Sequence, residues 1–225
     1  MTPAAEQVLA LRRAAKPQSP ETLGRLGVFY RVEPLIAALA LLALLPLMLV
    51  VALTILLLAR RTPLVRHRRV GWRGAELPML KLRSMWEPKQ KWGPVFAIED
   101  VSRPIPADKT EGDDRITSRF ASLCRRFSID ELPQLFHVIR GEMSLVGPRP
   151  ITQAEMEEHY GDSAESVLSL RPGLTGLWQM KGRSQLTYAQ RRRLDVWLAK
   201  HASPGLYLWI LLSSIPVVLG GDDAY

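Results

Sequence analysis

Residues 35–58 carry no charge over 24 positions, and no other feature of the 225-residue chain limits its fold so strongly. As one helix the run would measure roughly 36 Å, enough for a hydrocarbon core of about 30 Å. It is too long, starts too far from Met1 and lacks the A-x-A-like site of a cleaved leader, so it is expected to stay in the mature protein. Pro46 stands near its middle, with 11 residues before it and 12 after. Proline removes a backbone donor and crowds the preceding turn, which predicts a kink or break there. Cations flank both ends: Arg12, Arg13, Lys16, Arg25 and Arg31 precede the run, and Arg60, Arg61, Arg66, Arg68, Arg69 and Arg73 follow it. Lys and Arg collect on the cytoplasmic side of membrane segments, and here both ends qualify. A helix–break–helix hairpin that enters and leaves one leaflet satisfies both features. A single crossing kinked at its proline is also tolerated in lipid, and the residues themselves leave the two topologies open.

Outside that run the chain is polar, so its mean hydropathy of +0.01 averages two unlike parts. The formal charge is +8, and the 30 cationic residues divide into 23 Arg and 7 Lys. The planar fork of Arg suits phosphate oxygens, which points to nucleotides, anionic lipids or nucleic acid. A hydrophobic content of 47% excludes a disordered chain, and the lone Cys124 excludes an intramolecular disulfide or a Cys-rich zinc site. His67, His137, His159 and His201 show no ligand spacing, and no P-loop or dinucleotide-type glycine loop is present.

Residues 1–30 read as an arm interrupted by Pro17 and Pro20. Met79–Arg83 alternates apolar and cationic, which predicts a short strand with Lys81 and Arg83 on one face. The Pro/Gly-rich segments 87–114 and 170–184 read as loops, and 147–150 as a stiff turn. Helices are expected over 121–126, from Asp130 to Arg140 with Gly141 as the stop, and over 153–160. Another follows the T-x-x-Q box of Thr187 and Gln190, with Leu194, Trp197 and Leu198 on one face. The apolar stretch 206–219 is too short to span and suits a core or interfacial helix.

The stretch from Arg125 through Ser128, Asp130, Glu131 and Pro133 to Leu135 carries the strongest chemical signal. Ser128 and Glu131 match an S-x-x-E cap, and composition alone favours that plain role. Pro133 weighs against it, because a start at Asp130 puts the proline safely in the first turn. Two adjacent carboxylates at a positive helix end, behind Arg125 and Arg126, are then expected to have lowered pKa values and to stay ionised. Such a carboxylate can attack phosphorus and form a covalent intermediate. In Gly147-Pro148-Arg149-Pro150 two prolines fix the backbone around one Arg, which suits a diphosphate whose charge grows during reaction. A rigid turn with a solvated Arg is the plainer alternative. Lys81, Arg83, Arg115, Arg171 and Arg183 are further cationic candidates, each singly an ordinary surface charge. Arg191-Arg192-Arg193 is expected to face solvent or headgroups, and Cys124 to be a packing residue.

Taken in order, Lys81-Leu-Arg-Ser-Met85, Asp130-Glu-Leu-Pro-Gln134, Met143-Ser-Leu-Val-Gly-Pro-Arg-Pro150, Arg171-Pro-Gly-Leu-Thr-Gly176 with Gln179 and Gly182-Arg183, and Ile215-Pro-Val-Val-Leu219 resemble the bacterial sugar transferases, the monotopic polyprenol-phosphate phosphoglycosyl transferase family. The resemblance runs from about Arg31 to Tyr225. It implies an α+β, mostly helical fold: an arm at 1–30, a re-entrant helix–break–helix at 31–60 with its break at Pro46, and a catalytic domain at 61–225 with amphipathic interfacial helices. It further implies an enzyme on the cytoplasmic face of the bacterial inner membrane that moves a phosphosugar from a UDP-sugar to undecaprenyl phosphate and releases UMP. Asp130 would be the nucleophile, with Mg2+ beside it, and Glu131 its dyad partner. Lys81, Arg83, Arg115, Arg125, Arg149, Arg171 and Arg183 would hold substrate phosphate. Membrane lipids are implied partners and nucleic acid is not; pairing as a homodimer is left open. The chain departs from the family pattern at Leu45-Pro46, where Ser-Pro is usual, at Glu33 for Asp, and at Ala121 for Gly. One extra residue also precedes the dyad after Arg115-Ile-Thr, and the loop at 99–112 is longer than usual. The rival reading is a non-catalytic membrane adaptor that binds anionic lipid or a partner protein through its Arg-rich surface.

Overall fold

The computed structural model describes residues 20–86, 93, 97–101, 118–180 and 186–220, with side chains from Leu26 onward. Helix α1 runs from Pro20 to Ala59 and contains both Pro34 and Pro46. It starts inside the segment expected to be an arm, and no gap in the helix marks Pro46. Among the described residues it supplies the one span, Leu26–Ala59, long and apolar enough to cross a membrane by length and composition.

One stripe of α1 faces the rest of the protein. Glu33, Ala37, Val51, Ile55 and Ala59 are buried, with Leu41 and Leu44 partly so between them, at spacings of three, four or seven that keep them on one helix face. The opposite face is bare: Leu35, Leu39, Leu42, Leu49, Leu53 and Leu57 are each 57–69% exposed. Soluble monomers rarely display such a continuous apolar surface, which marks a face for lipid or for another protein.

Strand β1 (Leu64–Val70) pairs antiparallel with β2 (Glu76–Leu82), setting Val65 against Lys81, His67 against Met79 and Arg69 against Leu77. The two-residue β3 (Glu99–Asp100) adds in parallel on the other edge of β1, giving the order β2-β1-β3. The β1–β2 connection is a 3-10 turn at Trp72–Gly74, where Arg73 takes a left-handed backbone (φ 54°, ψ 32°).

The remaining elements follow in chain order. Helix α2 (Arg119–Arg126) is capped by Ser118 Oγ, which accepts from the Ala121 amide at 3.0 Å. A 3-10 helix (Ile129–Gln134) leads directly into α3 (Leu135–Ile139), so the single helix expected from Asp130 is split by its tighter first turns around Pro133. Strand β4 (Ser144–Val146) pairs in parallel with β5 (Gly173–Thr175), so the expected 170–184 loop contains a strand, and then α6 (Leu177–Met180). Between them lie α4 (Gln153–Glu155), extended by a π turn to Tyr160, and α5 (Ala164–Leu168). Helix α7 (Tyr188–His201) carries the expected Thr187–Gln190 capping box, and α8 (Pro204–Gly220) continues through Pro216. On α7, Leu198 is buried whereas Trp197 is 46% exposed. On α8, Leu208, Trp209, Leu212, Ile215 and Leu219 are exposed.

Both halves of α1 pack on this domain. Ala37 joins Met79, Leu135 and Ile210 in one core, while Ile55 joins Leu82, Ala121 and Cys124 in another. Near the start of the apolar run, Glu33 Oε1 accepts from Ser144 Oγ at 2.6 Å, from the Leu145 amide at 3.1 Å, and from the Tyr207 hydroxyl. One carboxylate oxygen thereby joins α1, β4 and α8.

Candidate active site

The chain leaves α2 through Phe127 and turns at Ser128, which is in the left-handed region (φ 54°, ψ 25°). In that conformation the Ser128 hydroxyl makes no cap bond, so the S-x-x-E capping role is not realised. The turn instead delivers Asp130 and Glu131 on the first turn of the 3-10 helix against β2. Asp130 is 7% exposed, and its Oδ2 accepts from Ser84 Oγ at 3.2 Å. Glu131 Oε1 accepts from Lys81 Nζ at 2.7 Å. The nearest charges on Asp130 are Lys81, Glu131 and Arg125.

Burial dominates the Asp130 carboxyl and raises its pKa, and Glu131 pushes the same way; Lys81, Arg125 and the Ser84 hydroxyl only partly offset them. The lowered pKa expected from the neighbouring arginines is therefore corrected. Desolvation of a nearly enclosed carboxylate outweighs two cations at its side.

Strand β2 is held in place by a residue that sequence reasoning passed over. The Leu80 amide donates to His137 Nε2 at 3.1 Å, so that nitrogen carries no proton, and Nδ1 donates to Glu142 Oε2 at 2.6 Å. His137 thus fixes the strand residue next to Lys81. Its signal was faint: one histidine four residues before an acid-containing turn. Lys81 and Arg83, expected on one face of a short strand, have separate partners. Arg83 Nε donates to the Thr62 carbonyl at 2.9 Å and its Nη2 meets Glu99 Oε2 at 2.6 Å.

Arg149 stands on a backbone knot. Gly147 N donates to Thr175 O, and Gly173 N to Pro148 O, both at 2.9 Å. A Cβ on Gly147 would run into the Arg171 carbonyl and lie 2.7 Å from Gly173 N; one on Gly173 would run into Gly147 N. The two glycine motifs are therefore one interlocked structure. From it the Arg149 guanidinium extends over Trp178, 4.4 Å from the ring centre, while its amide donates to Asp195 Oδ1 at 3.3 Å. The fully buried Asp195 also accepts from Tyr160 at 2.9 Å, and burial pushes its carboxyl up to about 7.

Two further arginines lie close enough to repel Arg149. Arg69 and Arg191 are both buried, and each has its pKa lowered first by burial and then by Arg149. Arg69 pairs with Glu155 Oε2 at 2.8 Å and also feels Glu131, which links this cationic group to the dyad. Although burial alone would raise it, Arg69 and the Thr152 amide hold Glu155 below the usual carboxylate range. Arg191 was expected at solvent or headgroups; it is buried because positions 191, 195 and 198 share the inward face of α7. That spacing was visible in the sequence and was masked by the charge run.

Arg125 sits at the end of α2, near enough to act on Asp130. Arg171 lies elsewhere, 4.5 Å from the ring centre of Tyr30. Arg115 and Arg183 lie outside the described residues. Among the described residues no group of three or more His, Cys, Asp or Glu could cage a metal. Mg2+, however, commonly takes one or two carboxylates and completes its shell with water and substrate phosphate. The single buried carboxylate of Asp130 fits that manner of binding.

The sequence pattern of the bacterial sugar transferase family matches residues 28–221. The chain is 39% identical over 201 residues to the "Exopolysaccharide production protein ExoY" of Sinorhizobium fredii, covering 86% of each. It is 37% identical over 228 residues to a "UDP-glucose:undecaprenyl-phosphate glucose-1-phosphate transferase" of Caulobacter vibrioides, covering 97% of this chain and 79% of that one. A third relative, the "UDP-galactose-lipid carrier transferase" of Erwinia amylovora, is 38% identical over 203 residues, and the chain spans only 41% of its length. With the dyad, the arginine-bearing knot and the apolar helix all inside the matched region, the chain belongs to the bacterial sugar transferase family.

Proposed function

We propose that the protein is a phosphoglycosyl transferase of the cytoplasmic membrane face, moving a sugar phosphate from a UDP-sugar to undecaprenyl phosphate in surface-polysaccharide assembly. The observation that carries this reading is the buried Asp130, held by Ser84 and flanked by the Lys81–Glu131 pair. In the first step an Asp130 oxygen attacks the sugar-linked phosphorus, and the bond to the bridging oxygen breaks, releasing UMP. In the second step an oxygen of the lipid phosphate attacks the same phosphorus, and the Asp130–phosphorus bond breaks. The two-step route lets one site serve a water-soluble donor and a lipid acceptor in turn.

Lys81 and Arg125 are placed to neutralise the phosphate at Asp130, and Arg149, backed by Arg69, the neighbouring phosphate of the donor. Glu131 orients Lys81 and the incoming lipid phosphate. Asp130 and the donor diphosphate would hold Mg2+, which supplies charge neutralisation and orientation when bound. Re-entry of α1 is part of the same proposal. Its support is that residues on both sides of Pro46 pack against the one domain, and cations flank both ends.

Asp130→Asn is expected to abolish UMP release and the trapping of a phosphosugar adduct, measured with a panel of UDP-sugars, undecaprenyl phosphate and Mg2+. Full activity of that variant would sink the proposal; no UMP release from the unmodified protein would favour the adaptor reading.

A further inference from the structure

The β1–β2 turn places a second cationic group away from the dyad. Arg73 lies with its guanidinium carbon 4.4 Å from the Trp72 ring centre, and Arg171 lies 5.1 Å from the same ring and 4.5 Å from Tyr30. Two guanidinium groups thus share one indole. Neither has an acidic partner among the described residues, and the Nε of each is buried without a hydrogen-bond acceptor. Arg73 is also held in a left-handed backbone, a conformation that residues with a side chain adopt at a cost. Trp72 is itself fixed, its Nε1 donating to the Ser169 carbonyl at 3.2 Å.

The level of this group is set by Tyr30. It stands on α1 five residues before Leu35, about 7.5 Å along the axis from the start of the uncharged run. That is the depth at which aromatic and cationic side chains meet lipid headgroups. Arg73 lies at the turn of the β1–β2 hairpin, whereas Lys81 pairs with Val65 toward its open end, about 17 Å along the strand from Glu76, so a phosphate bound here is not the one beside the Lys81–Glu131 pair.

We propose that Arg73 and Arg171, on the Trp72–Tyr30 platform, bind the phosphate of an anionic bilayer phospholipid. The site is independent of the sugar-transfer reading. Cation pairs without carboxylates seek an anion, and stacking on aromatic faces leaves the edges of both forks free to donate to phosphate oxygens.

The full-length protein in nanodiscs of equal phosphatidylglycerol and phosphatidylcholine tests this. On release into native mass spectrometry, retained phosphatidylglycerol should exceed phosphatidylcholine about tenfold. The ratio should fall to that of the bulk lipid in the Arg73→Gln/Arg171→Gln variant and persist in Arg140→Gln, which removes one exposed cation elsewhere. In the unmodified protein, brominated phosphatidylglycerol should quench the emission missing from Trp72→Phe more than brominated phosphatidylcholine does; this arm needs no arginine variant to fold. A bulk ratio in the unmodified protein, equal loss in Arg140→Gln, or equal quenching by the two brominated lipids would overturn the proposal. So would arginine-dependent retention of added undecaprenyl phosphate in place of phosphatidylglycerol.

Discussion

In the proposed mechanism Asp130 attacks phosphorus as the carboxylate, while its enclosure favours the neutral acid. The acid limb of UMP release should therefore lie above the ordinary carboxylate range at limiting Mg2+ and move down as Mg2+ saturates, a shift readable from pH–rate profiles at two metal concentrations. Lys81→Gln removes a cation from Asp130 and the partner of Glu131; a loss of about 10- to 100-fold in kcat/KM is expected, the scale of one charge-assisted hydrogen bond. His67 gives a pH dependence of stability. Burial first, then Lys81 and Arg69, push its imidazole down from 6.5 to about 4, so it is neutral in the folded protein. Its contribution is fully present above the unfolded value and is lost as pH falls through the folded one, so thermal stability should decline between pH 6.5 and 4. The slope should flatten in His67→Gln. Asp130, Glu131 and Arg149 were legible at this scale because proline and adjacent acids leave local signatures. Arg69 and Arg191 were not, because a buried arginine is recognised only by what surrounds it.

The β4–β5 ribbon shows how glycine can place an arginine. Gly147 and Gly173 let two backbones approach to a separation that no side chain permits, and the approach aims the intervening Pro148-Arg149 segment over Trp178. Gly173→Ala should destabilise the protein by roughly 3 kcal/mol, the upper part of the usual overpacking range, and lower UMP release even in the folded fraction; denaturant melts alongside activity would separate the two effects. The motif was visible as two short turns. That they form one parallel pair was not, because pairing between residues nearly thirty apart in sequence leaves no periodicity inside segments of three. The helices at 121–126, 153–160 and 188–201 were legible from their caps and spacing. The 3-10 entrance to α3 was not, since Ser128 looks like a cap in sequence and becomes a left-handed corner in space.

For the whole molecule, the question is how a polar domain sits on lipid. With Cys124→Ser as background, single cysteines at Arg25 and Arg66 should be labelled from the same, cytoplasmic, side of sealed vesicles; labelling from opposite sides would refute re-entry. The apolar run made membrane association legible at once, whereas the side of α1 that meets protein emerged only from the packing of Ala37, Ile55 and their neighbours. The Glu33 junction carries a further consequence. Because that one carboxylate is shared by a strand near position 144 and a helix near position 207, α1 is tied to two segments of the domain far apart in sequence. A truncation beginning at residue 61, in search of a soluble catalytic fragment, would uncover the Ser144 hydroxyl, the Leu145 amide and the Tyr207 hydroxyl together and leave the arginine ribbon without its support. Solubility is better sought by changing the lipid-facing leucines of α1 than by cutting the helix away.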